Sequence, residues 1–309
     1  MKKILATIAT LVVALGTISA QDLAAVTDLY NAGAEAISTD KAGALKSFEE
    51  ALKLAEALGE EGQEVVANCK NIIPNLKLSL AKDLAKESKY DEAVAALEDV
   101  LKVAEAYEAF GVADEASKLV PQIKGAKAAA LLKANDFEGA AAAYKELVEA
   151  NPADGVSALR LGAALNGAGK VEEAKAAFEQ AAANGQEAAA KKQLGTIFLK
   201  ESSAALKAKK YAEAVAAALK VNDYVENAQA WQLAGQASQA AGKNADAIKY
   251  FEKYLEAAPT ASNAGAIAYT VGALYQAAKN NAKAKEFYTK ALSDAKFGAE
   301  AKKMLDALK

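Results

Sequence analysis

The sequence of 309 residues contains no histidine and a single cysteine, Cys69. Histidine is the commonest general base near neutral pH, so its absence excludes Ser-His triads and zinc sites built on imidazole. One cysteine cannot form a disulfide within the chain, so packing alone must hold the fold together. Cys69 lies in the stretch VVANCKNII, which favours a small buried side chain over a reactive or intermolecularly paired thiol.

Other catalytic patterns are missing as well. The stretch GAGK, which ends at Lys170, lacks the glycine spacing of a P-loop, and Val171 stands where that motif needs a hydroxyl. Glutamate pairs such as Glu172 and Glu173 have lysines nearby, which indicates solvated helix faces rather than catalytic carboxylates. The sequence therefore predicts a protein that is not an enzyme and that holds no cofactor or metal.

Proline and aromatic residues are scarce. The chain has four prolines, and aromatic residues make up 6% of it although hydrophobic residues reach 53%. Much of the hydrophobic share is alanine, which has the highest helix propensity and allows helix axes to approach closely. We therefore predict an almost entirely α-helical protein.

The chain also lacks a strong charge of either sign. Without Lys2 and Lys3 it has 35 basic and 40 acidic residues, a net charge of −5 that is spread along the sequence. A nucleic-acid-binding protein needs a basic stripe that neutralises phosphates, and none is visible. Nucleic acid and anionic membrane surfaces are therefore not expected partners.

One long hydrophobic run occurs, at the N-terminus. Two lysines precede the run, and Ser19 and Ala20 supply the small residues of a cleavage site, so residues 1–20 are predicted to be a secretory signal peptide cut before Gln21. A retained membrane anchor is the alternative, although the run is at the short end for a membrane span. Cleavage predicts a periplasmic protein without membrane insertion, with an envelope-associated or secreted location as the alternative.

The remaining sequence repeats one pattern seven times. Each segment has a leading alanine, usually an aromatic residue or leucine four positions later, and a small or apolar residue three positions further on. The leading alanines are Ala44, Ala93, Ala140, Ala174, Ala214, Ala247 and Ala284, separated by 49, 47, 34, 40, 33 and 37 residues. This periodicity indicates stacked helical hairpins, because a single hairpin cannot bury its apolar face.

A small residue stands 12 positions before most of the leading alanines. These residues are Ala81, Ala128, Gly162, Gly235 and Gly272. A small side chain at this place lets the two helices of a pair cross closely. Gly169 and Gly242 mark helix ends that need a left-handed residue. Pro152 and Pro259 fall where second helices must stop.

Together these features resemble the tetratricopeptide repeat. Segments 158–181 and 230–254 look like near-complete units, and Trp231 occupies the place of the family's characteristic tryptophan. The resemblance covers about residues 22–296. It implies an all-α, right-handed superhelical solenoid of about seven helical hairpins plus a C-terminal capping helix.

The intervals between repeats divide the chain into four segments. The signal peptide is followed by divergent hairpins with lengthened helices over 21–122, a regular array over 123–296 and a capping helix over 297–309. The two longest intervals lie near the N-terminus, and we expect their extra residues to lengthen helices rather than to form an additional domain.

A row of glutamines marks the first helix of the sixth hairpin. The row consists of Gln229, Gln232, Gln236 and Gln239. At 100° per residue these side chains occupy an arc about 80° wide. Trp231, Gly235 and Ser238 fall on a neighbouring arc that can pack on the paired helix. One repeat later, Tyr269 and Gln276 lie seven residues apart on one helix face, and we expect them to extend the surface formed by the glutamine row.

In the tetratricopeptide family, the first helix of each pair lines a concave groove that takes extended peptides or partner helices. The resemblance therefore implies that the glutamine row faces such a groove. Neutral amides offer both donors and acceptors, which suits a peptide backbone or a sugar. The alternative interpretation is a solvated face without a ligand, because glutamine is a good helix former.

The sequence thus supports two hypotheses of function. The first is a non-catalytic protein–protein interaction scaffold of the bacterial cell envelope, with other proteins or peptides as partners and self-association as a further option. The second is a periplasmic protein that binds a peptide or glycan in the concave groove.

Overall fold

The computed structural model describes residues 20–308, and this part of the chain consists of α-helices joined by short connections, without a β-strand. It divides into two compact units, of which the first ends at Asn151 and the second begins at Pro152. The predicted signal peptide, residues 1–20, lies outside the described residues except for Ala20, where the first helix begins.

The first unit contains three helical hairpins, in which each helix packs against the next along the chain. Its helices are α1 (Ala20–Ala36), α2 (Lys41–Ala57), α3 (Gln63–Lys86), α4 (Tyr90–Ala106), α5 (Phe110–Lys133) and α6 (Phe137–Ala150). A short 3-10 helix, Gly59–Gly62, connects α2 to α3.

The second unit contains four hairpins and one further helix. Its helices are α7 (Gly155–Gly167), α8 (Val171–Ala181), α9 (Glu187–Lys207), α10 (Tyr211–Tyr224), α11 (Ala228–Ala240), α12 (Asn244–Ala257), α13 (Ala264–Ala277), α14 (Asn281–Ala291) and α15 (Gly298–Ala307). A π-helical segment, Ala182–Gln186, joins α8 to α9, and α15 packs on α14. The predicted all-α repeat of helical hairpins is confirmed.

The extra residues of the two long intervals lie mainly within α3 and α5, which have 24 residues each. Pro74 and Pro121 lie inside these helices rather than at their ends. Cys69 in the first half of α3 packs with α1 and α2, whereas Leu78 and Ala81 in its second half pack with α4 and α5. The long helix thereby joins the cores of two successive hairpins.

The repeated pattern of the sequence forms the core. All seven leading alanines are fully buried. The side chains four residues later are also buried, and these are Phe48, Leu97, Tyr144, Phe178, Ala218, Phe251 and Tyr288. The repeated aromatic residues are therefore packing residues.

Cys69 is buried in the core of the first unit and forms no disulfide with any residue that the structure describes. Burial raises the pKa of its thiol to about 12. Because the thiolate is the reactive form, a thiol that stays protonated at neutral pH is inert. Cys69 is therefore the small buried residue that its apolar neighbours predict.

The helices of a pair cross closely at the small residue on the first helix, as predicted. A Cβ atom added to Gly235 would lie 2.5 Å from Cδ1 of Phe251, and one added to Gly162 would lie 2.7 Å from Cδ1 of Phe178. Both distances are too short for real carbon contacts. Glycine therefore allows these aromatic rings to lie directly against the first helix.

One hairpin of the second unit meets the same requirement differently. Its second helix, α10, carries the small Ala218 where the other hairpins of this unit have an aromatic ring, and its first helix, α9, carries Ser202 where they have glycine. The buried Ser202 hydroxyl donates a hydrogen bond of 2.8 Å to the carbonyl oxygen of Ala214, the leading alanine. The sizes of the two facing residues thus compensate for each other.

From α3 onward, the turn within each hairpin contains one residue with positive φ, five positions before the leading alanine. Gly169 and Gly242 take this conformation, with φ of 77° and 74°, as their sequence positions predict. The equivalent residues of the other turns are Ser88, Asn135, Lys209 and Lys279, with φ between 60° and 62°. In each turn the next N–H returns to the preceding helix, as from Lys243 to the Ser238 carbonyl oxygen at 2.9 Å.

The close crossing predicts the effect of Gly235→Ala. The added methyl group must displace the Phe251 ring or separate α11 from α12, so we expect a loss of about 1–3 kcal/mol in the free energy of unfolding, measured with urea. Gly111→Ala is the matched control, because no heavy atom lies within 4 Å of the added Cβ. A control variant as destabilised as Gly235→Ala would contradict the packing explanation.

The turns predict opposite effects for exchanges of glycine and lysine. A side chain at positive φ costs about 1–2 kcal/mol, part of which glycine loses again through its greater flexibility when unfolded. We therefore expect Gly242→Lys to destabilise the protein by about 1 kcal/mol and Lys279→Gly to stabilise it by a smaller amount. Thermal unfolding measures both, and changes of the same sign would show that the φ angle does not decide stability at these turns.

Candidate functional site

Helix α11 carries the glutamine row and has well-defined ends. Asn227 caps its start, because its side-chain oxygen accepts a hydrogen bond of 3.2 Å from the Ala230 N–H. The backbone N–H of Asn227 donates to Oδ1 of Asn222 at 2.8 Å, which connects this end to α10. At the other end the chain turns at Gly242. These contacts at its two ends determine which side chains of α11 face the neighbouring helices.

Most of the circumference of α11 is packed. Leu233 and Ala234 belong to a buried cluster with Ala218 of α10 and Tyr250 of α12, and leucines of α9 pack against this cluster. Gly235 lies against α12. Packing against α9, α10 and α12 leaves one arc of α11 free to meet solvent or a partner.

Trp231 packs on the paired helix, as its place in the repeat predicts. Its ring stacks on Tyr250, with ring centroids 6.1 Å apart and an interplanar angle of 15°. The Lys253 Nζ lies 4.6 Å from the centroid of the Trp231 ring. The same ring packs against the cluster that contains Ile267 and Val271 of α13. Trp231 therefore fixes α11 in the second unit.

The four glutamines occupy the remaining arc of α11, and we call them the glutamine face. Gln229 and Gln239 are exposed, whereas Gln232 and Gln236 are half-buried. None of their side-chain amides forms a hydrogen bond with another residue in the part of the chain that the structure describes. Each amide therefore keeps two donor hydrogens and an acceptor oxygen for water or for a partner.

Tyr269 and Gln276 of α13, the two residues expected to extend the glutamine face, are held by internal contacts. The Tyr269 ring stacks on Phe297, with centroids 5.1 Å apart. The Tyr288 hydroxyl donates a hydrogen bond of 2.7 Å to Oε1 of Gln276. Burial and the neighbouring Tyr269 raise the pKa of Tyr288, so its hydroxyl keeps the proton that it donates. Both residues thus take part in packing around α14, and the glutamine face offers more unpaired polar groups.

Helices α11 and α13 also share an absence of charge. Neither contains Asp, Glu, Lys or Arg, whereas every other α-helix between Ala20 and Leu308 contains at least one of them. Residues of both helices pack against the same hydrophobic cluster around α12. The glutamine face is therefore neutral, and the first helix that follows it in the repeat order is neutral as well.

A second feature of this unit was not identified from the sequence. A cleft of about 740 Å³ lies between α12 and α14, with Glu252 and Glu256 on one helix and Lys283 and Lys290 on the other. No residue of α11 lines it. Both lysines form ion pairs of 2.9 Å with Glu286. Charges spaced four and seven residues apart were a visible signal, but the same spacing occurs on ordinary solvated helices.

Within residues 20–308, no group of His, Cys, Asp and Glu side chains is arranged to hold a metal ion. No helix in the same range is both long enough and apolar enough to cross a membrane.

Comparison with known proteins finds a family model that matches part of the chain. The tetratricopeptide repeat model matches residues 126–189 and 199–262. No curated protein matches the chain. Among solved structures, one of the MamA protein is 19% identical, covers 58% of this chain and 94% of its own, and gives a TM-score of 0.36. A structure of MamA from Desulfovibrio magneticus RS-1 is 19% identical, covers 60% of this chain and 97% of its own, and gives a TM-score of 0.33.

A third solved structure is YrrB, described as a TPR protein with an unusual peptide-binding site. It is 23% identical, covers 59% of this chain and 91% of its own, and gives a TM-score of 0.34. The two matches to the family model coincide with hairpins in which small residues, leading alanines and turn residues stand at the repeat positions. Residues 126–189 and 199–262 of the chain are therefore tetratricopeptide repeats.

Proposed function

We propose that this protein is a non-catalytic scaffold of the bacterial cell envelope that binds other proteins or peptides through the first helices of its repeats. The observation that carries this proposal is the glutamine face, where four amides without internal partners fill the unpacked arc of α11. Buried polar groups normally have hydrogen-bond partners. A partner that covers these amides must therefore supply donors and acceptors of its own.

The non-catalytic role is supported by the family, whose members are typically scaffolds without catalysis. The location in the envelope is supported by the N-terminal pattern of two lysines, an apolar run and a small-residue cleavage site before Gln21. Such a protein is exported and then acts as a periplasmic or envelope-associated protein.

A periplasmic protein that captures a peptide or a glycan is the second candidate function. The same four unpaired amides favour it, because neutral donors and acceptors can bind either kind of ligand. The two candidates differ in what occupies the glutamine face in the cell: a macromolecular partner for the scaffold, and a small ligand for the binding protein. Self-association would place a second copy of the chain there.

The scaffold predicts site-specific cross-linking. A photoreactive residue in place of Gln236 should form adducts with one or a few envelope proteins in cells. The same residue in place of Glu173, which is exposed on α8, is the control and should not form these adducts. Immunoblotting and mass spectrometry identify the products. Equal adducts from both positions, or none from Gln236, would contradict binding at the glutamine face.

Export predicts a new N-terminus. Mass spectrometry of the protein purified from the producing cells should show a chain that begins at Gln21, and cell fractionation should find it outside the cytoplasm. A variant with Lys2 and Lys3 replaced by glutamate should accumulate uncut, because the positive region of the signal is lost. A cytoplasmic protein that retains its first 20 residues would disprove export.

A further inference from the structure

We propose that the cleft between α12 and α14 binds a tryptophan side chain of a partner polypeptide, in the place that Trp231 fills in the preceding hairpin. No residue of α11 lines this cleft, so the site is separate from the glutamine face and goes beyond the function proposed above. Two features of the cleft carry the proposal: a repeat position that lacks its large side chain, and a surplus of negative charge.

One position of the first helix determines whether such a cleft is filled. It stands 16 residues before the leading alanine, and in the second unit it is occupied in turn by Ala158, Phe198, Trp231 and Ala268. Helix α7, which carries Ala158, begins the unit, so no second helix of that unit precedes it. Of the three later hairpins, only the last therefore has a small residue at this position.

The large residues at this position lie between an aromatic ring and an ammonium group. Phe198 stacks on Tyr224 with ring centroids 5.7 Å apart, and the Lys175 Nζ lies 4.6 Å from the centroid of the Phe198 ring. Trp231 is held in the same way by the tyrosine and the lysine of α12 described above. Two successive hairpins thus supply a ring that the last hairpin lacks.

The surroundings of that ring are present in the last hairpin. Phe287 of α14 stands three residues after its leading alanine, as Tyr250 does on α12, and Lys290 stands six residues after it, as Lys253 does. The Lys290 Nζ lies 4.3 Å from the centroid of the Phe287 ring. Ala268, Phe287 and Lys290 all line the cleft. Its walls therefore include the equivalents of the two residues that hold the tryptophan one hairpin earlier.

The cleft has room for an aromatic side chain. Its volume of about 740 Å³ lies within the range of about 300–1,000 Å³ that is usual for ligand pockets. The Lys290 side chain is 53% exposed, so it can move off the Phe287 ring without leaving solvent. Leu255 and Ala264 supply further apolar contacts. A ring that enters can therefore stack on Phe287 beneath the ammonium group, as Trp231 stacks beneath its own lysine.

The charge of the cleft selects the residues beside the ring. Four carboxylates and two lysine ammonium groups line the cleft, which gives a net charge of −2. Both lysines are paired with Glu286. Glu256 is exposed and, within residues 20–308, forms neither a hydrogen bond nor an ion pair. Basic residues next to the ring would neutralise this surplus, whereas acidic residues would be repelled.

Glu252 favours tryptophan over phenylalanine. Its Oε1 atom accepts a hydrogen bond of 2.7 Å from the Tyr275 hydroxyl, and its other oxygen has no hydrogen-bond partner in the described part of the chain. A buried indole N–H usually finds an acceptor, and this carboxylate oxygen offers one. A phenyl ring has no such donor.

A second copy of the chain does not fit the cleft. Trp231 is the only tryptophan of the sequence, and its ring is packed within the protein. Phe110 is 70% exposed, but Glu108 and Asp114 stand on either side of it in the sequence. These acidic neighbours would face an acidic cleft. The occupant is therefore a different polypeptide, with a tryptophan next to basic residues.

Short peptides and the full chain test the proposal. Acetyl-Lys-Trp-Lys-amide carrying a fluorescent dye is titrated with the protein and followed by anisotropy. Exchange of its tryptophan for alanine should weaken binding at least about tenfold, because the anchoring ring is lost. Exchange of both lysines for glutamate should weaken binding by a similar factor at about 0.1 M salt, because like charges then face each other.

Ala268→Trp tests the repeat position itself. The new side chain should fill the cleft, abolish binding of the peptide and raise the Tm, because apolar surface is buried and only Lys290 must move. Ala234→Trp is the matched control. Ala234 is fully buried in a packed cluster and does not line the cleft, so this variant should have a lower Tm.

Exchange of the carboxylates tests the charge. Glu252→Gln combined with Glu256→Gln should weaken binding of the Lys-Trp-Lys peptide at least about tenfold. Glu50→Gln combined with Glu173→Gln, two exposed glutamates elsewhere in the chain, should leave its affinity unchanged.

Several outcomes would overturn the proposal. Equal affinity for the tryptophan and alanine peptides, binding retained by folded Ala268→Trp protein, or equal loss of Tm in the two tryptophan variants would each do so. N-acetyltryptophanamide that binds as tightly as the peptide would indicate a small-molecule site. A dimer that the peptide displaces and that Phe110→Ala abolishes would make a second copy the occupant. Cross-linking at Gln236 tests the scaffold separately, so failure here would leave that function intact.

Discussion

The structure depends on a contact that most hairpins share, between a small residue of the first helix and a large residue of the paired second helix. At Gly235 this contact is so short that a single added carbon would collide with the Phe251 ring. The contact fixes both the separation and the rotation of the two helices. Once α11 is fixed against α12, Leu233 and Ala234 point to α9 and α10, and the glutamines are left on the outside. The candidate site is therefore a consequence of packing.

Much of this arrangement could be predicted from the sequence, because each repeat encodes it locally. The leading alanines and the residues four positions later are buried in every hairpin, as their spacing indicates. The turns were harder to predict. Gly169 and Gly242 indicate a residue with positive φ, whereas Lys209 and Lys279 adopt positive φ although lysine has no special propensity for it. Here the hairpin geometry overrides the local preference of the residue.

The candidate site, too, could be predicted from the sequence only in part. The free arc of α11 follows from helical periodicity and could be predicted, since the spacing of apolar and polar residues within α11 defines it. The contacts of Tyr269 and Gln276 could not, because they come from Phe297 and Tyr288 on other elements. Periodicity assigns a residue to a face of its own helix, but it does not show which distant residue covers that face.

The charge distribution gives α11 its distinct character. In the first unit, Lys77 of α3 forms ion pairs with Glu49 at 3.0 Å and with Asp99 at 2.9 Å, and so connects the two flanking second helices. Such surface pairs stabilise a protein by about 0–1 kcal/mol each, but they satisfy the charges within the protein. Helix α11 has no charges, and the amides of its glutamines have no partners within the described chain. Its surface therefore remains available for recognition.

The most direct test of this account is NMR spectroscopy of the glutamine side-chain amides. The protein is labelled with nitrogen-15, and spectra are recorded with and without the partner obtained by cross-linking. We predict that the side-chain amide signals of Gln229, Gln232, Gln236 and Gln239 shift, while that of Gln180 on the second helix α8 stays in place. Unchanged signals from α11, with shifts confined to the second helices, would contradict the claim that the glutamine face binds the partner.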